Sequence, residues 1–205
     1  VANVGMAYTD DFLVRFSWED EYAVTTDGFG FDEITLRSLD YATIANIESS
    51  APTINGKFGT SMAGIADVNG DGFPDLAVGH PGYNSNRGRV ELYSGLTGTF
   101  LSQTSTNIFG DQFGTTLVNL GDLNSNGSDE ILIGAPFNDQ NGTSAGAAYV
   151  YDTSNGQQIR ALYGTAAGDE FGRALCAVPD VTGDGRNEVA VASPFFDGVA
   201  GADCG

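Results

Sequence analysis

Basic residues are scarce in this sequence. The 205 residues contain 8 Lys and Arg against 27 Asp and Glu, which gives a formal net charge of -19. Lys57 is the only lysine. A field of this sign repels polyanions, so nucleic acid is excluded as a partner.

Long apolar runs and cysteine pairs with metal-site spacing are also missing. No apolar run approaches the ~18 residues of a membrane span, so we expect no membrane insertion. The two cysteines, Cys176 and Cys204, lack CxxC spacing; two free thiols and one disulfide both remain open. The sequence begins at Val1 without the basic and apolar regions of a signal peptide, so we expect a processed precursor or a piece of a longer polypeptide.

Catalytic motifs and helical periodicity are absent as well. There is no nucleophile elbow, no HExxH and no phosphate-binding glycine loop. His80 is the only histidine, and it follows an apolar run directly before Pro81, where we expect an exposed turn residue. No segment keeps apolar residues at helical spacing over three turns. We therefore expect this segment to be all-β and not an enzyme.

Glycine is abundant. The 29 glycines are roughly twice the share found in an average protein, which is about 7%. They fall between short apolar runs, a distribution typical of β architectures with many turns.

Three segments of the chain repeat one another. A Phe-Gly pair at Phe58, Phe113 and Phe171 precedes an acidic loop that begins nine residues later. An apolar triplet follows each loop, at 76–78, 131–133 and 189–191, and a proline closes it. The period between the phenylalanines is 55 and then 58 residues. A period of this length indicates a repeat architecture.

The second halves of the first two repeats match more loosely. Residues 89–93 and 147–151 both have strand character, and a glycine-containing turn and another short strand follow each of them. Each unit therefore offers about four strands. Four-stranded units repeated radially are the blades of a β-propeller, which has four to eight of them. Since 205 residues hold fewer than four such units, we expect either further chain or association between chains.

Each acidic loop follows the spacing D-x-[DN]-x-[DN]-G, which places oxygen side chains at alternate positions of a tight turn. Ca²⁺ takes six to eight oxygen ligands, and such a loop supplies them from positions 1, 3, 5 and 9 and from the backbone carbonyl of position 7. The predicted ligands are Asp67, Asn69, Asp71, Phe73 and Asp75 in loop one; Asp122, Asn124, Asn126, Ser128 and Glu130 in loop two; and Asp180, Thr182, Asp184, Arg186 and Glu188 in loop three.

The three loops are not equal. Loop one has three carboxylates, whereas loop two has two, and loop three has Thr182 where Asp or Asn is usual. Because affinity follows ligand charge, we expect loop one to bind Ca²⁺ most tightly. The alternative is an Asx-rich turn without metal. Helical calcium-loop families are excluded because β-branched triplets ended by proline follow the loops.

These motifs resemble FG-GAP repeats, the blades of the integrin α-subunit propeller and of many bacterial surface proteins. The resemblance covers about residues 41–205, with repeats starting near 58, 113 and 171, the last incomplete. It departs from the pattern at His80 and at Ala192-Ser193. It implies a partial β-propeller of four-stranded blades, in which a metal ties the first hairpin of the blade together and has a structural role.

Residues 1–40 differ from the repeats. Phe12–Trp18 and Gly28–Leu36 resemble the closing strands of a MAM-like jelly-roll domain, which would place the remnant of a β-sandwich before the propeller. The competing interpretation is a degenerate blade.

The resemblance implies a calcium-stabilised extracellular or cell-surface module for binding or adhesion. A structural subunit of an extracellular filament and a non-catalytic propeller of a polysaccharide-active or lipid-active enzyme are the alternatives. Expected partners are a protein or glycan ligand, or a second copy of the chain. Tyr83 and Phe137, beside the loops 82–88 and 138–146, could meet such a ligand or be ordinary half-buried aromatics. Asn141 begins a glycosylation sequon.

Overall fold

The structure is a computed structural model and describes residues 13–14, 33–37 and 43–197. Its elements are, in chain order, β1 (Leu13–Val14), β2 (Glu33–Arg37), β3 (Thr43–Glu48), β4 (Met62–Ile65), β5 (Asp75–His80), α1 (Tyr83–Asn86), β6 (Arg89–Tyr93), β7 (Phe100–Thr104), β8 (Thr116–Gly121), β9 (Glu130–Ala135), β10 (Ala147–Asp152), β11 (Gln158–Tyr163), β12 (Ala174–Val178) and β13 (Glu188–Ala192).

The strands form antiparallel sheets that follow the repeats. Strands β4-β5-β6-β7 make a first four-stranded sheet and β8-β9-β10-β11 a second, each in chain order. We call these sheets blade one and blade two. Strands β12 and β13 pair in the described part of the third repeat, and β1-β2-β3 form a three-stranded sheet. The predicted all-β fold, a partial β-propeller with four-stranded blades, is confirmed.

The apolar triplets form the second strand of each repeat, and they pack on both faces of it. In blade one, Ala77 packs toward blade two, whereas Leu76 and Val78 pack toward β2 and β3. In blade two, Ile131 and Ile133 face blade one, and Leu132 faces β12 and β13. Since neighbours cover both faces of these strands, their sequence is continuously apolar and does not alternate.

The core is therefore a series of layers between successive sheets. The first layer joins Ile34 and Ile47 to Phe58 and Tyr93. The second lies between the two complete blades, and the third between blade two and the β12-β13 pair. This arrangement explains why single repeats are not self-sufficient, because each sheet buries its faces on its neighbours.

Glycine in the Phe-Gly and Gly-x-Pro motifs permits close contact between neighbouring blades. A Cβ atom on Gly79 would lie 2.1 Å from the carbonyl oxygen of Gly114, and one on Gly134 would lie 2.2 Å from that of Gly172. The amide of Gly114 donates to the carbonyl of Gly134 over 3.0 Å. The two motifs thus meet within a repeat and between repeats, and a side chain would hold the blades apart.

One short turn departs from strand and loop structure in the described part of the chain. Residues 83–86 form α1, in which Asn84 and Ser85 have φ angles of 47° and 62°. Asparagine tolerates this left-handed region better than most residues do. Left-handed residues occur singly or in short runs, and this turn is only four residues long.

Several predictions concern residues outside the described ranges. Most of residues 1–40 lie there, so the jelly-roll and degenerate-blade interpretations and the boundary near residue 40 remain predictions. Cys204 also lies there; Cys176 is exposed, and a pairing between them stays open. Among the described residues, no helix has both the length and the apolar character of a membrane span.

Candidate metal-binding loops

The three acidic loops occupy equivalent places in the fold. Each connects the first and second strands of its repeat, β4 to β5, β8 to β9 and β12 to β13. The predicted ligands of one loop therefore lie together at one end of their sheet.

The first aspartate of each loop accepts hydrogen bonds from the turn that follows it. The amides of Gly72, Gly127 and Gly185 donate to Asp67, Asp122 and Asp180 over 2.7, 2.8 and 2.7 Å. These glycines have φ angles of 88°, 87° and 83°, a backbone conformation that L side chains rarely adopt. The bonds from Gly72 and Gly185 hold the pKa values of Asp67 and Asp180 below their usual value.

The acid at position 9 reaches back to the second residue of the same loop. Asp75, Glu130 and Glu188 accept hydrogen bonds from the amides of Val68, Leu123 and Val181 over 2.8, 2.6 and 2.9 Å. The acid at position 9 thus bonds to the start of its own loop, and its carboxylate lies on the same side as that of the first aspartate.

The side chain at position 5 braces the far end of each turn. Asp71, Asn126 and Asp184 accept hydrogen bonds from the amides of Phe73, Ser128 and Arg186, the residues at position 7. Each turn thus holds the backbone of its residue at position 7, and the contact of that residue's carbonyl with a metal remains a prediction.

Carboxylate oxygens converge in loops one and three. Those of Asp67, Asp71 and Asp75 lie within 4.8 Å of one another, and so do those of Asp180, Asp184 and Glu188. Loop two forms no such group among the described residues because its position 5 is Asn126, where loops one and three have an aspartate. Like charges this close repel one another unless a cation lies between them.

In loops one and two, burial adds to the cost of keeping the acid at position 9 ionised. Burial, with the charges of Asp71 and Asp67, raises the pKa of Asp75. Burial also raises the pKa of Glu130, assisted by the carboxylates of Asp152 and Asp122. A cation at either site would remove this penalty.

The residues at position 3 differ more than the others. Asn69 donates through Nδ2 to Asp71 Oδ2 over 3.0 Å, and Asn124 donates to Glu130 Oε1 over 2.6 Å. In loop three it is the backbone amide of Thr182 that donates to Glu188, over 3.2 Å. The hydroxyl of Thr182 as a metal ligand stays a prediction.

Sequence reasoning missed two kinds of residue that contact the loops. Ser94 and Asp152, which directly follow Tyr93 and Tyr151, contact the side chains at position 5. At position 8, Asp129 accepts from the amide of Ala66 over 2.8 Å, and Asn187 donates to the carbonyl of Leu120 over 3.0 Å. Aligning the hairpin residues that follow the two tyrosines could have indicated the first pair.

The expectation that His80 is an exposed turn residue is wrong. It ends β5 and is 1% exposed, and its Nδ1 lies 3.0 Å from Oε1 of Glu91, which is also fully buried. The Arg89 guanidinium lies 2.6 Å from the same oxygen. A neighbouring sheet covers the end of this strand, which the sequence around His80 does not reveal.

The loops at the opposite end of the blades carry the remaining candidates. Tyr83 and Phe137 are half-buried, and the Arg89 guanidinium lies 3.9 Å from the ring centre of Tyr83. Asn141 is exposed and donates through Nδ2 to the carbonyl of Gly164 over 2.8 Å. Phe109 is 63% exposed, and the Arg87 guanidinium lies 3.9 Å above its ring.

Comparison with protein families matches both ends of the repeat region. A family described as FG-GAP-like repeat matches residues 51–133, and one described as FG-GAP repeat matches residues 171–203. Loop one and loop two lie in the first match, and loop three lies in the second.

Similar proteins are integrin α subunits. The chain is 31% identical to integrin alpha-4 of Xenopus laevis over 167 residues, which is 73% of this chain and 16% of that protein. It is 30% identical to integrin alpha-7 of Homo sapiens over 162 residues, 73% of this chain and 13% of that one. Identity to integrin alpha-2 of Mus musculus is 37% over 98 residues, 43% and 8% of the two chains. The chain thus spans a sixth or less of the length of these relatives.

Proposed function

Because the chain belongs to the FG-GAP repeat family, we propose that it is a calcium-stabilised module for extracellular adhesion. The observation that carries the calcium part is the convergence of three carboxylates in loop one, repeated in loop three. Loop two is proposed as a third, weaker site. The proposed ligands are the fifteen residues predicted above.

The donor set supports a hard divalent cation. All of the predicted ligands offer oxygen, and none offers nitrogen or sulfur, which favours Ca²⁺ over zinc or copper. Among the described residues, no ion pair links a basic side chain to the carboxylates of the loops. A bound cation would supply the missing positive charge.

The position of the loops supports a structural role for the metal. Each loop joins two strands that pack against the neighbouring blade, so a rigid loop fixes the pairing of those strands. In the absence of metal, the carboxylates of one loop repel one another at neutral pH. We therefore expect Ca²⁺ to stabilise the blades rather than to take part in a reaction.

Adhesion is proposed from the integrin resemblance together with the end of the blades opposite the metal. The loop 81–88 follows β5 at the end away from loop one, and the connection 105–115 meets it where the Gln112 amide donates to the Asn86 carbonyl over 2.9 Å. Arg87 and the exposed Phe109 lie on these two segments. An exposed aromatic ring beside a guanidinium is typical of protein interfaces.

Thermal unfolding of the chain with 1 mM Ca²⁺ and with excess EGTA tests the calcium part. We expect EGTA to lower the melting temperature, because a ligand at 100 times its Kd adds about 2.7 kcal/mol to the free energy of unfolding. Ca²⁺ should restore the loss, whereas equimolar Mg²⁺, which needs a smaller octahedral site, should not.

A variant identifies the site responsible. Asp67→Asn removes one carboxylate from loop one and should shrink the shift caused by Ca²⁺, whereas Asp139→Asn, outside the loops, should leave it intact. Equal melting temperatures of the wild-type chain in Ca²⁺ and in EGTA would mean that the loops are turns without metal.

A second experiment separates adhesion from the alternatives. Immobilised chain should capture cells in Ca²⁺, and Phe109→Ala should reduce capture without changing the melting temperature. If the Phe109→Ala variant captures cells as well as the wild type does, this surface is not the adhesion site. Binding on a glycan array would identify a lectin, and Ca²⁺-dependent light scattering by the purified chain would favour a self-assembling filament.

A further inference from the structure

The third strand of each complete blade ends beside the metal loop of that blade. Tyr93 ends β6 and Tyr151 occupies the same place in β10, so Ser94 and Asp152 are equivalent residues. Both are buried, with 1% and 5% of their surface exposed. Both side chains contact the residue at position 5 of the loop.

In blade one, the hairpin residue donates the hydrogen bond. The Ser94 hydroxyl donates to Asp71 Oδ2 over 3.1 Å. The other oxygen of the same carboxylate, Asp71 Oδ1, accepts from the Phe73 amide over 2.9 Å. Asp71 is thus held at both oxygens.

In blade two, the polarity of the same contact is reversed. Asn126 stands at position 5 and donates through Nδ2 to Asp152 Oδ2 over 2.8 Å. Asn126 Oδ1 accepts from the Ser128 amide over 2.8 Å, as Asp71 Oδ1 does from Phe73. The hairpin residue therefore donates to the loop in blade one, whereas in blade two the loop residue donates to the hairpin.

The reversal decides which end of the Asn126 side chain can bind a cation. An amide has one oxygen and one nitrogen of nearly the same size, and only the oxygen is a metal ligand. The Asp152 carboxylate only accepts and the Ser128 amide only donates, so the two partners together fix the amide orientation. Asn126 Oδ1, which accepts from the Ser128 amide, is then the atom that faces the turn of loop two.

Asp152 also restores the charge that loop two lacks. The five predicted ligands of loop two include two carboxylates, whereas those of loop one include three. The hydrogen-bond partners of Asp152 side-chain oxygens are Asn124, Asn126, Ser154 and Asn155, which are all neutral. Its negative charge is therefore not balanced by these partners.

We propose that Asp152 is a positioning residue for the metal site of loop two, which orients Asn126 and supplies the third negative charge. The inference rests on the proposed binding of Ca²⁺ by loop two. It adds the β10-β11 hairpin to that site, so that the metal also stiffens the third and fourth strands of the blade. Ser94 has the corresponding place in blade one.

A Ca²⁺ titration of the whole chain followed by ¹⁵N-¹H NMR resolves the three sites. The amides of Gly72, Gly127 and Gly185 each bond to the first aspartate of one loop and report that loop separately. Asp152→Ala should weaken Ca²⁺ binding at Gly127 about 10-fold or more, the usual effect of losing an orienting partner of a metal ligand. The midpoints at Gly72 and Gly185 should not change.

Two further variants divide the effect. Asp152→Asn keeps an accepting oxygen and loses the charge, so we expect it to lie between the wild type and Asp152→Ala. The double variant Asn126→Asp with Asp152→Ser installs the pair of blade one and should recover most of the affinity that Asp152→Ala loses. Ser94→Ala removes the corresponding contact of blade one and should leave the midpoint at Gly127 unchanged.

The possible failures are distinct. An unchanged Gly127 midpoint in a folded Asp152→Ala variant would overturn the role of Asp152 and leave calcium binding intact. A double variant as weak as Asp152→Ala would overturn the pairing with Asn126. A wild-type Gly127 amide that does not respond to Ca²⁺, while Gly72 does, would overturn the metal assignment of loop two together with this inference.

Discussion

Blade one and blade two have the same strand order, but they meet their preceding sheets with different chemistry. His80, Arg89 and Glu91 of blade one correspond to Ala135, Ala147 and Tyr149 of blade two. The first three form a buried charged cluster, and the second three belong to an apolar layer. The FG-GAP backbone thus accepts either solution at the same positions.

The neighbouring sheet decides between the two solutions. Beyond β3, the Ser49 hydroxyl and the Ser50 amide donate to Glu91 over 3.0 and 2.9 Å. The sheet that precedes blade two instead presents Val90 and Leu92. Val90 and Leu92 offer no side-chain donor to a buried carboxylate, which agrees with the residues Ala135, Ala147 and Tyr149 at these positions of blade two.

The largest effect is expected from breaking the charged cluster. Glu91→Ala should cost about 3–5 kcal/mol of the free energy of unfolding, because it leaves the Arg89 guanidinium buried without a counter-charge. In blade two, Tyr149→Phe removes one hydroxyl that accepts from Asn138 and should cost about 1 kcal/mol. Urea unfolding followed by circular dichroism, at fixed Ca²⁺, measures both.

A transplant sharpens the same comparison. Replacing His80, Arg89 and Glu91 by the residues of blade two leaves no charged side chain in this cluster, so the triple variant should lose less stability than Glu91→Ala alone. A triple variant that is less stable than the single one would show that the cluster contributes more than charge compensation.

The sequence was sufficient for the parts of the fold that repeat locally. Apolar triplets, the Phe-Gly and Gly-x-Pro motifs and the acidic spacing each depend on residues close in the chain, and they predicted the blades. The burial of His80 and the contacts of Asp152 could not be predicted, because they depend on which sheet or hairpin lies beside them. The local pattern does not single out Ser94 and Asp152, because it carries no information about a partner 23 or 26 residues away.

The response to acid should have opposite signs at two buried carboxylates, Glu91 and Asp111. Burial alone would raise the pKa of Glu91, but hydrogen bonds from His80, Tyr93 and Ser50 outweigh it and hold that pKa well below its usual value. Folding therefore favours the ionised carboxylate. The stability that it contributes is complete above the unfolded pKa, about 4.3, and is lost as the pH falls toward the folded one.

Asp111, between the blades, behaves in the opposite way. Burial raises its pKa, the nearby charge of Asp139 adds to this, and its one side-chain donor is the neutral Asn138. Its folded form favours the proton, so its penalty is present at neutral pH and is relieved as the pH falls through the raised pKa. Unfolding free energies between pH 7 and 3 in EGTA, for wild type, Glu91→Gln and Asp111→Asn, separate the two.

We expect Glu91→Gln to flatten the loss of stability below pH 4.3, and Asp111→Asn to remove a gain on acidification from pH 7. Parallel curves for all three proteins would contradict the assignment of these carboxylates to opposite charge environments.

A smaller effect than that of the charged cluster is expected at the rim of the apolar layers, where position 8 of the loops provides a polar link. Asp129 accepts from the Ala66 amide and from Asn119 Nδ2, over 2.8 and 2.7 Å, and so ties loop two to blade one. Asn187 ties loop three to blade two by one bond, and loop one has Pro74 at this position. Asp129→Ala should therefore cost about 1–3 kcal/mol and Asn187→Ala about 1 kcal/mol.

Hydrogen exchange at single amides tests this link directly. Asp129→Ala should speed exchange of the Ala66 amide, because that amide loses its carboxylate acceptor, whereas Asn187→Ala should leave it unchanged. If both variants exchange like the wild type at Ala66, the rim contact does not hold the blades together. The apolar layer alone would then set their separation, and the contrast with the charged cluster of blade one would extend to the loops.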